Sequence, residues 1–239
     1  MRITSIVLLL IVLVFALPSL VKAQDTRLKF DAWTDIATIY SFSANFRYDG
    51  DYGIRHLLSS RNFTQIYLRP SVRYRFEPWL MVHGGFAWFQ SFFTNNENYL
   101  EMRPWVGLRI LWPRIDGWVV SNYLRFEYRI SRFENESEWN RQLRGRFQVQ
   151  VTSPNFSIGD NEKFYALAFI EPFQNIDTSG DQFFADRLRI NFGFGNRLTN
   201  SFRIELNLML QKGRISTETG SRLNIDDYIL RLRMFYVLN

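Results

Sequence analysis

The residues with most chemistry to offer are arginines alternating with carboxylates. Tyr123, Arg125, Glu127, Arg129 and Ser131 take every second position of one stretch, and Leu124, Phe126, Tyr128 and Ile130 take the positions between them. A guanidinium presents five N–H donors in a planar fork that fits carboxylate and phosphate oxygens. A row of such forks has two uses. It can pair with neighbouring carboxylates and pack as a polar core, or it can offer uncompensated positive charge to an anionic solute. The same alternation puts Arg69, Arg73, Arg75, Arg103, Arg125, Arg129, Arg144, Arg146, Arg187, Arg189, Arg203, Arg231 and Arg233 on one face, facing far fewer carboxylates: Glu101, Glu127, Glu171, Glu205, Asp31 and Asp35.

The chain has two histidines, His56 and His83, as candidates for nucleophilic catalysis. His56 falls in a polar stretch near Ser59 and Ser60, where a solvated loop residue is the simpler reading. His83 lies in a stretch apolar on both faces, so its direction depends on the turn at Glu77-Pro78. A plain two-residue hairpin sends it outward and a longer turn sends it inward. No His-Ser-acid spacing emerges, so no catalytic residue is assigned. Two distant histidines and no cysteine make no metal-ligand set. No cofactor motif is present.

Strict period-2 alternation requires extended strands, because successive side chains leave opposite faces of a pleated backbone. Ten stretches qualify: Leu28–Tyr48, Asn62–Phe76, Trp79–Phe93, Tyr99–Trp112, Asn122–Arg132, Trp139–Val151, Glu162–Phe173, Phe183–Gly195, Ser201–Gln211, and a final one running from Tyr228 to Leu238. Each approaches or exceeds the roughly 9–11 residues a tilted membrane-spanning strand needs. Asp49–Arg61, Phe133–Glu138, Gln174–Asp181 and Gly213–Leu223 read as loops on one side. Glu77-Pro78, Pro113–Gly117 and Asn196–Asn200 read as short turns on the other, with Trp79, Trp112 and Trp118 as an interfacial girdle. Pro104 inside its strand predicts a bulge or a break.

Residues 1–23 have the anatomy of a secretory signal peptide: Arg2, the apolar run Ile6–Leu17, and Val21-Lys22-Ala23 before the cleavage point. The formal charge of +6 falls to +4 when Arg2 and Lys22 are removed. That modest charge is spread along strands, which argues against nucleic acid as a partner. Behind an export signal, an apolar row on every strand favours hydrocarbon outside and charge within. The expected fold is an all-β, antiparallel transmembrane barrel of about ten strands over residues 24–239, in contact with outer-membrane lipid. An even count would leave both termini on the periplasmic side. The alternating last strand resembles the signal read by the barrel-assembly machinery, although it ends in Leu238-Asn239. A secreted β-sandwich is the rival fold. Nothing in the pattern reads on oligomeric state.

Gln65-x-Tyr67-x-Arg69-Pro70 with Tyr74, Glu101-x-Arg103-x-Trp105, Leu124-Arg125-x-Glu127-x-Arg129, and Asp186-Arg187 before Gly193-x-Gly195 resemble an uncharacterised outer-membrane β-barrel family of Gram-negative bacteria, known as a domain of unknown function. The resemblance spans the mature chain and implies fold and location without an activity. Three functional classes follow for the inward face. They are a purely structural polar core, a narrow anion-selective conduit, and a lipid-modifying enzyme of deacylase or acyltransferase type using His83 or His56.

Overall fold

The computed structural model describes residues 29–58, 63–94, 97–159, 161–176, 187–217 and 220–238, and their side chains except at 29 and 213–226. The expected signal peptide, residues 1–23, lies outside these segments. So does most of the loop expected at Gln174–Asp181.

The strands in order are β1 (Lys29–Ser41), β2 (Phe46–Leu57), β3 (Phe63–Arg69), β4 (Ser71–Glu77), β5 (Leu80–Phe93), β6 (Tyr99–Leu111), β7 (Val119–Phe133), β8 (Asn140–Thr152), β9 (Phe156–Ile158), β10 (Asn161–Asn175), β11 (Arg187–Arg197), β12 (Phe202–Thr217) and β13 (Gly220–Val237). They form one sheet that closes on itself, because β1 pairs with both β2 and β13. β3 and β4 are two halves of one stave. Asp51↔Arg69 on one side of Pro70 and Tyr48↔Val72 on the other keep the same register against β2. β9 is a short flap paired to β10. The wall therefore has eleven staves among the described residues.

Eleven differs from the expected ten, and the difference lies in the first stretch. Leu28–Tyr48 is not one strand. It turns back at 42–45, where the amides of Phe42 and Ser43 donate to the carbonyl of Phe46 and Ser41 pairs with Arg47. Asp49–Leu57, expected as loop, is the rest of β2. An odd number of up-and-down staves cannot close entirely antiparallel, so β1 meets β13 in parallel, from Lys29↔Asp227 to Ile39↔Val237. The start of β1 and the end of β13 consequently lie at opposite ends of the barrel, and the expectation of termini on one side is corrected.

Parity assigns the two faces. Every stave carries an exposed large apolar side chain outward, among them Ile36, Ile54, Leu68, Phe86, Val106, Phe126, Phe147, Ile170, Phe192, Leu206 and Leu230. Phe192 and Leu206 are 46% and 50% exposed, while Glu127 and Asp35 are 0% and 1% exposed. A soluble monomer rarely shows a contiguous apolar patch beyond a few hundred Å². Here apolar surface runs right round the wall, the polarity of a barrel built for hydrocarbon and the reverse of a β-sandwich.

β5 obtains its register from a bulge. Glu77 pairs with Leu80 across the turn, but Arg75 pairs with Met81, so Phe76 is an extra residue. Without it, His83 would oppose outward-facing Tyr74. With it, His83 opposes inward-facing Arg73. At the next turn Asp116 and Gly117 take φ of 48° and 81° between the bridged Ile115 and Trp118, the all-positive φ pattern that favours Asp-Gly in tight hairpins. Trp79, Trp112 and Trp118 all lie exposed at this end. Pro104 causes neither bulge nor break. Met102↔Ile130 and Trp105↔Glu127 share one register, and only the pairings of Arg103 and Pro104 are missing. Gly213–Leu223 is mostly strand, with β12 and β13 paired out to Thr217↔Gly220.

Inward aromatic rings lie along the wall on neighbouring glycines. A Cβ on Gly107 would come within 2.7–2.8 Å of the Tyr123 ring, and Gly195 is similarly covered by Tyr165. With these rings flat against the wall, the centre is left to the longer arginines.

Candidate functional site

The inward face holds most of the arginine and carboxylate side chains picked out by alternation, and the geometry divides them into clusters. Glu127 on β7 accepts from Arg125 on its own strand and from Arg144 and Arg146 on β8, with Arg146 Nη1 at 2.8 Å and Arg144 Nε at 3.1 Å. Arg146 reaches onward to Glu171 on β10 at 2.7 Å, and Arg189 on β11 approaches Glu171 at 3.4 Å while donating to Gln211 at 2.7 Å. Glu101 on β6 takes Arg103 and Arg129, and Arg129 also donates to Gln142 at 2.9 Å.

A second cluster spans the seam. Asp35 on β1 accepts from Arg231 at 2.6 and 3.0 Å and from Arg233 at 3.0 Å, both on β13. Asp51 on β2 pairs with Arg69 and accepts from the Tyr67 hydroxyl at 3.0 Å, with Arg231 and Arg233 at 3.8 and 3.7 Å. Glu205 accepts from the Tyr165 hydroxyl at 2.7 Å and lies 4.0 Å from Arg203. Two expected lumen residues stand at the ends of the barrel, Arg187 still contributing to the cavity lining. Arg187 is exposed where β11 begins, and Arg75 donates to the Ala44 carbonyl at the short-turn rim.

Further inward residues come from the stretch expected as loop. Asp49 and Asp51 were hidden in a stretch read as loop, although Arg47, Asp49, Asp51 and Arg55 share a parity opposite Tyr48, Tyr52 and Ile54. Arg55 has no carboxylate within ion-pair distance among the described residues. It stacks on Trp33 at 4.1 Å and Tyr67 at 4.7 Å and donates to Gln65 at 3.0 Å. Arg125 stacks on Trp105 at 4.4 Å. Such contacts stabilise a guanidinium where carboxylates are short.

The two histidines lie on opposite faces of the wall and cannot share a site. His56 belongs to β2, with Nδ1 2.9 Å from Thr64 Oγ1. His83 is inward, its ring 5.3 Å from that of Tyr123 and its Nε2 buried without a hydrogen-bond partner among the described residues. Among the described residues, neither ring is hydrogen-bonded to a serine or a carboxylate.

What remains open between these side chains is a cavity of about 730 Å³. Among the described residues fifteen arginines and seven carboxylates line it, with Asp35 and Glu127 buried behind the lining. The interior is strongly cationic even when those two are included.

No curated protein matches the chain. Among solved structures, a KdgM porin is similar at 10% identity with a TM-score of 0.43, the alignment covering 77% of this chain and 91% of the porin. The translocator domain of the autotransporter NalP from Neisseria meningitidis is similar at 11% identity and a TM-score of 0.43, covering 76% of this chain and 71% of that domain. Likenesses this loose do not extend to what either protein does. The sequence likeness is firmer: residues 30–222 match the family described as a protein of unknown function, DUF2490, and the chain belongs to that family.

Proposed function

We propose that the protein is an integral outer-membrane β-barrel whose lumen favours small anions over cations. On this reading residues 1–23 are removed on export, the barrel-assembly machinery inserts residues 24–239, and the apolar wall contacts outer-membrane lipid. The observation that carries the anion preference is the excess of arginine over carboxylate around the 730 Å³ cavity. A charged lining inside low-dielectric walls raises the local concentration of counter-ions and repels co-ions. Arg69, Arg73, Arg103, Arg125, Arg129, Arg144, Arg146, Arg187, Arg189, Arg203, Arg231 and Arg233 supply the field, and Glu101, Glu127, Glu171 and Glu205 hold part of it in fixed geometry.

The test has two arms. In fractionated cells the protein should be found in the outer membrane and show heat-modifiable gel mobility. Release without detergent would overturn the location. In planar bilayers under a potassium chloride gradient, the reversal potential should have the sign of chloride permeation. Cation preference, or no conductance steps at high salt, would remove the anion-conduit reading.

A further inference from the structure

We infer that the short-turn end of the lumen holds a binding site for a dianionic oxyanion, either inorganic phosphate or the terminal group of a phosphomonoester. The inference builds on the anion preference proposed above and adds a place and a ligand class. Arg47 on β2 lies directly opposite Arg73 on β4, and Arg73 lies directly opposite His83 on β5. Like charges facing one another across strands are unfavourable, so this row calls for compensation. Asp49 supplies part of it, 2.7 Å from Arg47 and 3.6 Å from Arg73.

Arg109 completes the group from β6. It faces Tyr123 across the β6–β7 pairing, with its guanidinium 4.8 Å from the ring centroid. Among the described residues the Arg109 guanidinium makes no ion pair or hydrogen bond, and Tyr123 is also the ring that packs on His83. Among the described residues three nitrogens are buried here without a hydrogen-bond partner: Nε of Arg47, Nε of Arg109 and Nε2 of His83. His83 is itself only 8% exposed. All four basic side chains line the central cavity.

The neighbouring cluster differs in how its arginines are held rather than in net charge, since Arg125, Arg144 and Arg146 all contact Glu127. Arg125 and Arg146 also face each other across strands, but Glu127 lies between them. At the short-turn end, three guanidiniums against Asp49 leave a charge of +2 with His83 neutral. Buried donors and unpaired charges cost the fold stability. A ligand with two negative charges and several acceptor oxygens would satisfy both, whereas chloride or acetate would leave one charge unmatched. Guanidinium forks suit tetrahedral oxyanions.

The experiment is equilibrium dialysis of the folded barrel in detergent against inorganic phosphate, glycerol phosphate and acetate, alongside bilayer selectivity. Phosphate should bind saturably and acetate much more weakly. Glycerol phosphate binding as well as phosphate would assign the phosphomonoester, and its exclusion would assign the free anion. Arg109→Gln removes a cation with no ion-pair or hydrogen-bond partner among the described residues, keeping a side chain that can still lie against Tyr123. It should fold as the parent does and weaken phosphate binding by about tenfold or more, the loss expected for a charge-assisted contact. Arg73→Gln should weaken it similarly. Absent phosphate binding, unchanged binding by folded Arg109→Gln, or equal affinity for acetate would each overturn the site. Chloride selectivity without phosphate binding fails the site alone. Phosphate binding without chloride selectivity fails the conduit alone.

Discussion

Glu127→Gln is expected to lower barrel stability by about 3–5 kcal/mol, the cost of removing one partner from a buried ion cluster. Glu127 is fully buried and is the shared acceptor of Arg125, Arg144 and Arg146. Glutamine keeps the shape and one acceptor oxygen but removes the charge. Arg146 would retain Glu171, and Arg189 already approaches that same carboxylate, so little capacity is left for the other two arginines. The check is the temperature at which the folded gel mobility is lost. A midpoint matching the parent would mean that the cluster contributes packing alone. The same substitution adds net positive charge to the lumen and should shift the reversal potential further toward chloride.

Asp35→Asn should produce a loss of similar size, about 3–5 kcal/mol, but concentrated at the seam. Asp35 is the residue through which the first stave holds two arginines of the last. Parallel pairing is slightly weaker per residue than antiparallel, so this junction depends more on its side chains. Hydrogen exchange should rise in β1 and β13 while β6, β7 and β8 stay protected. Adding Arg233→Gln should recover part of the loss, because it removes one of the cations left unpaired. Uniform exchange across all staves would refute a seam-specific role for Asp35.

The alternation that makes these residues readable also explains where reading stops. β7, β12 and β13 carry arginine or carboxylate on one parity and Leu, Phe or Ile on the other, so their faces follow from the sequence. The β1–β2 turn does not announce itself. Phe42-Ser43-Ala44-Asn45 contains no glycine or proline, and Ser41 and Arg47 keep the same parity through it. Gly50 and Gly53 instead suggest a break where β2 is continuous. Gly53 is needed because a Cβ there would meet Asp35 and Tyr67 at 2.7 and 2.9 Å. β5 is apolar on both faces, so only its pairing with β4 and the Phe76 bulge settle that His83 points inward. The site around Arg109 was illegible for a related reason. Its character comes from what is missing nearby, and spacing along one chain says nothing about which carboxylates another strand will deliver.

The odd number of staves limits how this protein can be re-engineered. Lys29 and Val237 leave from opposite mouths, so a short peptide cannot splice the original ends without running the full height of the wall or passing through the occupied lumen. Circular permutation, straightforward for barrels whose ends are neighbours, would here require removing or adding a whole stave. In the membrane placement proposed above, reporter tags fused just before β1 and just after β13 would report from different compartments.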